Sequence, residues 1–292
     1  MIRLNYEGNL GNRLFQYAFA RIIADTLGYE LVADPIIGFP RTYDAVEGSS
    51  YKTLPLILRG QKPNIDFLDT PNLKQTIELN GYFQRYEYYS KHAFQIREWF
   101  VMDERLDDVK VSDDDLVVGV RRGRDYIPRH GLPLSYYENA ICNVEHNKLF
   151  ICTDSPADPF VRYLAKKYRG EIRPPGAIDN LAFIKKFKKI IISNSTFLWW
   201  GAFLSDADEI IFPRPANGLW SQADPLSKNI ALEVDSSHYK YIPCEPYKSE
   251  FLGEIIQNIN DQMVTTARRV IRPLLPWKKP TPMPRSVKFS EE

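Results

Sequence analysis

Residues 116–126, with the sequence LVVGVRRGRDY, determine how the rest of the chain is interpreted. The apolar run at residues 116–120 includes three valines and predicts a short buried strand. Arg121 and Arg122 follow it directly, so their guanidinium groups are expected at the carboxyl edge of a sheet, where open α/β folds bind ligands. Because the planar guanidinium fork fits two phosphate oxygens at once, we predict a diphosphate site here. A solvated basic turn is the alternative explanation for the two arginines.

Length and composition limit the class of protein. The 292 residues suffice for two domains, and the net charge of +1 argues against a nucleic-acid binder that works through bulk charge. Cys142, Cys152 and Cys244 are widely spaced, which predicts a reducing compartment and neither a disulfide framework nor a zinc site. The sequence shows no signal-peptide pattern and no run of about 18 apolar residues. We therefore expect a soluble cytoplasmic protein without an integral membrane segment, and peripheral attachment at the inner membrane face stays open.

The N-terminal residues predict a strand, a glycine turn and a helix. Residues 1–6 alternate like a strand, Gly8 and Gly11 form the turn, and apolar residues recur at helical spacing as far as Gly28, which fits a C-cap. This layout directs free backbone N–H groups at an anion or a sugar. A turn that serves only packing explains the two glycines equally well.

The next region is expected to form variable loops that could shape the specificity of a binding site. Residues 35–71 are rich in Pro, Gly and polar residues and predict a loop-rich segment. Residues 77–80 predict a further strand, followed by Tyr82 and an aromatic run at residues 86–89. Exposed aromatic rings stack on sugar faces, so Tyr82 is a candidate sugar contact, and core packing is the alternative for these aromatics.

An acidic segment precedes the arginine strand. Residues 94–106 predict a helix, and residues 107–115 an acidic connector that ends in Asp113, Asp114 and Asp115. Many sugar transferases use a DxD pair of this kind to hold a metal. Here the carboxylates come before the buried strand, on the side opposite the expected ligand edge, so no metal is expected.

Four apolar strands that alternate with helices predict a parallel, doubly wound sheet in the second half of the chain. These strands are predicted at residues 116–120, 149–152, 190–192 and 209–212. The helices between them are predicted to begin near Tyr136, with Ser135 as the N-cap, and at residues 160–168 and 179–189. Residues 213–243 predict a loop, residues 247–271 a long final helix, and residues 272–292 a flexible, proline-rich basic tail.

Ser193, Asn194, Ser195 and Thr196 follow the third of these strands and open a helix. Hydroxyl and amide groups at a helix start are good hydrogen-bond partners for phosphate, and the positive end of the helix dipole favours negative charge. The same residues would cap the helix with no ligand present.

Three separated stretches resemble the α-1,2-fucosyltransferases, glycosyltransferase family eleven. Residues 8–18, GNLGNRLFQYA, resemble the family's GGLGNQ-F-QYA opening. Residues 119–126 are similar to its HxRRGDY element, and residues 193–201, SNSTFLWWG, resemble its SNSTFSWW element. His130 also matches in place, and the order along the chain is that of the family.

The resemblance implies a GT-B-like α/β fold with two Rossmann-like domains, the second a doubly wound parallel sheet. It implies GDP-β-L-fucose as the donor, no metal and no other cofactor, and an oligosaccharide or glycolipid acceptor. It further implies inversion at the anomeric carbon, which gives a fucose linked α-1,2, expected at O2 of a galactoside.

The expected site follows from this chemistry. Without a metal, the charge on a departing diphosphate needs fixed cations, a role we predict for Arg121 and Arg122. Asp154, at the end of a strand, is a candidate for binding the guanine N–H groups, because a carboxylate accepts two hydrogen bonds. The resemblance assigns Gly11 and Asn12 to the donor phosphates or the fucose. The complete set expected to bind the donor is Gly11, Asn12, Arg121, Asp154, Asn194, Ser195 and Thr196.

Four positions depart from the family pattern. Gly119 stands where the family has histidine, and Arg124 is inserted before Asp125 or replaces the aspartate of the motif. Asn9 and Arg13 replace a glycine and a glutamine. These differences concern the acceptor and the linkage more than the donor.

The acceptor side is less defined by the sequence. Asp125 is expected to act in catalysis, while Glu7, Asp125 and His130 are all candidates for the general base, and a very dissociative reaction needs little base help. His130, Tyr126 and Tyr82 are the candidate acceptor contacts.

The predicted organisation is an acceptor-side α/β domain at residues 1–112, a GDP-sugar-binding Rossmann-like domain at residues 113–246, a C-terminal helix at residues 247–271 and the tail at residues 272–292. Two alternative functions stay open. One is a transferase that makes another fucose linkage or uses GDP-mannose. The other is a non-catalytic protein that binds a GDP-sugar or a glycan.

Overall fold

The computed structural model describes residues 1–42, 54–66, 75–102, 109–123, 126, 130–215 and 229–245. These residues belong to one compact unit, Met1–Ser249. The predicted final helix and the tail lie outside the described residues. No helix in the described ranges is long and apolar enough to cross a membrane.

The first sheet is parallel and has the strand order β2-β1-β4-β3. Its elements are β1 (Ile2–Leu4), α1 (Leu10–Leu27), β2 (Leu31–Val32), β3 (Leu56–Arg59) and β4 (Ile77–Asn80). The predicted helix end is confirmed, because Gly28 adopts a left-handed conformation with φ 64° and caps α1. β4 has the bounds predicted for it, whereas β3, which lies inside the loop-rich residues 35–71, was not predicted.

A short aromatic segment connects the first sheet to the second. It contains two 3₁₀ turns, Tyr86–Tyr88 and Ser90–His92, and the helix α2 (Ala93–Trp99). The helix predicted at residues 94–106 is therefore too long, since the chain leaves the helix at Phe100, which is fully buried. Tyr89 is also buried, and its hydroxyl donates to the Phe83 carbonyl, so this part of the aromatic run serves core packing.

The second sheet is parallel and six-stranded, with the order β10-β9-β8-β5-β6-β7. Its strands are β5 (Leu116–Val120), β6 (Leu149–Thr153), β7 (Glu171–Ile172), β8 (Lys189–Ile191), β9 (Glu209–Pro215) and β10 (Tyr239–Cys244). Its helices are α3 (Leu134–Cys142), α4 (Pro159–Tyr168), α5 (Ala177–Ile184) and α6 (Thr196–Phe203). The side chains of α3 and α4 pack on one face of β5, and those of α5 and α6 on the other, so the predicted doubly wound sheet is confirmed.

Several details of the second half differ from the prediction. The helix predicted at residues 179–189 is α5 and ends at Ile184, and the strand β7 was not predicted. The loop predicted at residues 213–243 contains the end of β9 and all of β10 but its last residue, and β10 pairs with β9 in parallel. Pro243 is tolerated in β10 because this strand lies at the edge of the sheet, where a missing N–H is allowed. The N-cap of α3 is Pro133 and not the predicted Ser135.

One hydrophobic core joins the two sheets. Phe15 on α1 packs against Trp200 and Trp199 on α6, with ring centroids 4.7 and 4.9 Å apart. The same cluster of buried residues includes strand residues of both sheets, such as Ile2 and Ile190. The two sheets therefore share a core, and each is stabilised by apolar area that the other covers.

The N-terminal ends of α1 and α6 meet at what we call the inter-sheet junction, formed by Gly11, Asn12, Gln84, Thr196 and Trp200. The Trp200 indole Nε1 donates to the Gly11 carbonyl at 3.0 Å. A Cβ added to Gly11 would lie 2.5 Å from the backbone nitrogen of Phe197. Only glycine lets the two backbones approach so closely.

We expect Gly11→Ala to destabilise the fold by about 3 kcal/mol, because the added methyl group meets backbone atoms that cannot move aside. Gly28→Ala is the matched control, since a Cβ added there would meet no atom within 4 Å and only the left-handed backbone is strained. That control should lose about 1 kcal/mol. Urea denaturation of both variants measures the difference, and equal losses would contradict the close approach at Gly11.

Candidate functional site

The candidate site lies at the switch point of the second sheet. The chain proceeds from β5 to β6 and β7 on one side, and from β8 to β9 and β10 on the other, so a crevice forms at the carboxyl ends of β5 and β8. We call the residues there, Arg121, Asp154 and 193–196, the ligand edge. The two strand ends are joined directly, because the backbone N–H of Arg121 donates to Ser193 Oγ at 3.3 Å.

Arg121 is held in place by two neighbours. Its Nη1 contacts Asp154 Oδ2 at 2.5 Å, and its guanidinium carbon lies 5.6 Å from the centre of the Tyr126 ring. The side chain is 30% exposed, so it is restrained and still accessible from solvent. A guanidinium fixed in this way is suited to bind an anion without a large loss of side-chain entropy.

Asp154 uses both carboxylate oxygens inside the protein. One accepts from Arg121, and the other, Oδ1, accepts from the backbone N–H of Arg122 at 2.8 Å. The carboxylate therefore orients Arg121 in the absence of ligand. Asp154 was predicted to bind a guanine base. To do so, it would have to give up one of these two hydrogen bonds.

Arg122 contacts a different set of residues. Its Nε lies 3.3 Å from Asp158 Oδ2, and its guanidinium carbon is 4.3 Å from the centre of the Phe160 ring. Only 10% of the side chain is exposed. Asp158 also caps α4 by accepting from the Phe160 N–H, so Arg122 is tied to the start of that helix.

Residues 193–196 connect β8 to α6 and are mostly buried. Ser193, Asn194 and Ser195 are 0%, 2% and 6% exposed. Ser195 occupies the N-cap position of α6, yet among the described residues its side chain makes no capping hydrogen bond. A capping role therefore does not explain why a serine hydroxyl stands at the start of this helix.

Gly11 and Asn12 contact the ligand edge across the inter-sheet junction. Asn12 Oδ1 accepts from Thr196 Oγ1 at 3.1 Å and from Gln84 Nε2 at 3.0 Å. The structure thus brings Gly11, Asn12 and Thr196 together as predicted residues of one site. Gln84 is 3% exposed and was missed, because a single glutamine after a strand carries no local signal of a long-range contact.

Phe83, next to Gln84, has a backbone conformation that is rare for its residue type. Its φ is 53°, in the left-handed region. The ring stacks on Phe19 with centroids 4.2 Å apart, which offsets the strain. Such strain beside a predicted site is consistent with a backbone fixed for function.

The candidate acceptor residues lie in separate places. The Tyr126 and His130 rings are 5.4 Å apart beside Arg121, and burial raises the pKa of the Tyr126 hydroxyl well above its usual value. Tyr82 is half-buried just after β4. Glu7 is exposed after β1, with its backbone N–H bound to Gln16 Oε1. Asp125 and Arg124 lie outside the described residues.

The aspartates before β5 have structural partners. Asp115 accepts from the backbone N–H groups of Ser112 and Lys148, and Asp114 contacts Lys189 Nζ at 3.0 Å. They lie at the amino end of β5, away from the ligand edge. Within the described ranges, no group of three or more His, Cys, Asp or Glu side chains could hold a metal ion.

Gly119, which differs from the family pattern, packs against α6. A Cβ at this position would lie 2.5 Å from Leu198 Cδ2 and 2.7 Å from Cδ1. Leu198 is 4% exposed and stands where the family element SNSTFSWW has serine. The leucine thus takes up space that a side chain at position 119 would need, so the two differences are structurally linked.

The fold and the ligand edge define an α/β protein with two parallel sheets, as predicted. No family model matches the chain. It is similar to an α-1,2-colitosyltransferase from Escherichia coli, with 28% identity over 184 residues that cover 53% of this chain and 60% of the relative. This similarity supports the resemblance found in the sequence at residues 8–18, 119–126 and 193–201. The alignment thus spans about three fifths of the relative's length.

A solved structure, E. coli ADP-heptose lps heptosyltransferase II, aligns with 57% of this chain and 54% of its own. The TM-score is 0.34 and the identity is 10%. The fold assignment therefore rests on the two sheets themselves.

A double-mutant cycle tests the contact between Gly119 and Leu198. Gly119→Ala alone should cost about 1–3 kcal/mol through overpacking, and Leu198→Ala alone about 2–5 kcal/mol through the cavity it leaves. The double variant should lose at least about 1 kcal/mol less than the sum, since each change relieves the other. Urea denaturation provides the four free energies of unfolding, and additivity within about 0.5 kcal/mol would show that the two residues do not compete for space.

Proposed function

We propose that this protein is a glycosyltransferase that moves a glycosyl group from a nucleoside-diphosphate donor to a hydroxyl of a glycan acceptor. The observation that carries the proposal is Arg121, an accessible cation held by Asp154 at the switch point of a parallel sheet. The similarity to a colitosyltransferase supports the same class of reaction.

The donor we propose is GDP-β-L-fucose, and the product an α-1,2-linked fucose, expected at O2 of a galactoside. The three sequence elements of the fucosyltransferase family support this choice, and the α-1,2 linkage in the relative's name agrees with it. A colitosyl donor, GDP-mannose and other linkages are the nearest alternatives. Thermal shift with GDP, UDP and CMP sugars, followed by acceptor trials and NMR of the product, discriminates among them.

The proposed chemistry depends on charge stabilisation without a metal. Negative charge builds on the departing diphosphate as the glycosidic bond breaks, and a fixed guanidinium stabilises it more in the transition state than in the ground state. Arg121 is proposed to make this contact, with the N-terminus of α6 adding the positive end of its dipole. The bound diphosphate would compete with Asp154 for the guanidinium group.

Residues around Arg121 are proposed to share the donor contacts. Asn194, Ser195 and Thr196 would bind the donor beside α6, and Asn12 would contact it from the first sheet. Arg122, tied to Asp158, would act by fixing the strand end and not by touching phosphate.

The acceptor hydroxyl must lose a proton to a base or to water. Glu7, Asp125 and His130 remain the candidates. A pH–rate profile of a single variant at each position would identify the base, because the loss of the true base removes the acid limb of the profile.

A non-catalytic GDP-sugar or glycan-binding protein is the second candidate. The departures from the family pattern at positions 9, 13, 119 and 124 favour it. Binding of GDP-fucose without turnover against a broad acceptor panel would support this alternative and exclude catalysis.

Arg121→Ala should leave the protein folded and weaken GDP binding roughly tenfold to a hundredfold, because charge-assisted hydrogen bonds to the diphosphate are lost. The rate of transfer should fall by about 10²–10³. Arg3→Ala, which removes a surface arginine paired with Glu78 on the first sheet, is the matched control and should change neither. Calorimetric titration with GDP measures the affinities. Unchanged GDP affinity in Arg121→Ala would remove the diphosphate contact from the proposed function.

A further inference from the structure

Asn194 carries a buried oxygen atom that has no partner. The residue is 2% exposed, and within the described part of the chain its Oδ1 accepts no hydrogen bond. A buried polar atom without a partner is costly, and such atoms in native proteins generally bind a water or a ligand. The position of Asn194, between β8 and α6 at the ligand edge, favours a ligand.

The chemistry of the atom limits what the ligand can present. An amide oxygen only accepts hydrogen bonds, so its partner must be an O–H or N–H group. A phosphate oxygen cannot be that partner unless it is protonated. Asn194 therefore contributes a different kind of contact from Arg121, although both residues lie at the same edge of the sheet.

The order of residues along the ligand edge indicates which end of the donor is involved. Asp154 follows β6, Arg121 follows the neighbouring β5, and Asn194 follows β8 on the other side of β5. Ser193 is bonded to the backbone of Arg121, and Thr196 is bonded to Asn12. Asn194 thus lies between Ser193, which binds the backbone of Arg121, and Thr196, which binds Asn12 beside the first sheet.

A sugar nucleotide carries its nucleoside and its glycosyl group on opposite ends of the diphosphate. With the diphosphate at Arg121, one end lies towards β6 and the other towards β8 and the start of α6. The β8 side is the one that meets α1 of the first sheet, which belongs to residues 1–112, the part of the chain predicted from the sequence to bind the acceptor. The glycosyl group has to face the acceptor, so it belongs on the side of Asn194.

We propose that Asn194 Oδ1 accepts a hydrogen bond from a hydroxyl group of the transferred sugar, and that it thereby selects donors carrying a hydroxyl at that position. This inference rests on the proposed function and assigns one part of the donor to one atom. Arg121 then binds the part of the donor common to GDP and GDP-fucose, while Asn194 distinguishes the two.

Asn194→Ala tests this assignment, because the substitution removes an oxygen that has no partner in the absence of ligand. The variant should still unfold cooperatively in a thermal melt. The affinity for GDP-fucose should fall roughly threefold to tenfold, the size of one neutral hydrogen bond, while the affinity for GDP stays unchanged. Calorimetric titration with both ligands and a thermal melt of the free protein provide these values.

Asn180→Ala is the matched control. Asn180 is also buried, at 6% exposure, but its Nδ2 donates to the Pro174 carbonyl at 3.3 Å. Its loss should lower the melting temperature and leave the ratio of GDP-fucose to GDP affinity as in the wild type. If Asn194→Ala does not fold, Asn194→Ser, which withdraws the oxygen by shortening the side chain, is expected to show the same change in that ratio.

Three results would overturn the inference. Equal losses of GDP and GDP-fucose affinity would assign Asn194 to the nucleotide and not to the sugar. Unchanged affinities for both ligands in a folded variant would leave the oxygen without a role in binding. If the wild type binds neither GDP nor GDP-fucose, the proposed function fails first, and the inference fails with it.

Discussion

The close approach of α1 and α6 at Gly11 is the constraint on which the rest of this structure depends. Each helix starts at the carboxyl end of a central strand of its own sheet, β1 for α1 and β8 for α6. Because no side chain separates the two helix starts, residues from both sheets reach one crevice. The Trp200 indole stabilises this contact by donating a hydrogen bond to the Gly11 carbonyl.

The ion pair of Arg121 and Asp154 illustrates how charge is arranged at the ligand edge. A partly exposed pair of this kind contributes little to stability, since water screens the attraction. Its effect is on geometry, because the carboxylate holds the guanidinium group in one orientation and is itself fixed by the Arg122 N–H. An anion that arrives meets a cation that is already positioned, which lowers the entropy lost on binding.

Much of the fold was predictable because its strands are apolar and its turns are marked by glycine or polar residues. The central strands β5, β6 and β8 are buried on both faces, so their continuous apolar runs identify them. The four edge strands, β2, β3, β7 and β10, were missed, since an edge strand is stabilised by its one neighbour and leaves little trace in its own sequence. α2 ends earlier than predicted for a related reason, which is a tertiary contact that the local sequence does not show. Phe100 leaves the helix and packs against Trp200, with the ring centroids 5.3 Å apart.

Part of the candidate site was predictable for a different reason. Arg121 and residues 193–196 follow strands directly, and the parallel topology brings the ends of those strands together whatever their distance in the sequence. Gln84 and Leu198 gained their importance from contacts with Asn12 and Gly119, more than 70 residues away in each case. Such pairings depend on the packing of α1 and α6, which no local pattern encodes.

The core shared by the two sheets has a consequence for motion. Many two-lobed proteins close on their ligands by rotating separate bodies about a hinge, and this requires an interface that can slide or part. Here Phe15 of the first lobe packs against Trp199 and Trp200 of the second in one core, so parting the lobes would expose that core to water. Residues 1–249 should accordingly unfold as one cooperative unit, and slowly exchanging amide protons should be found in both sheets.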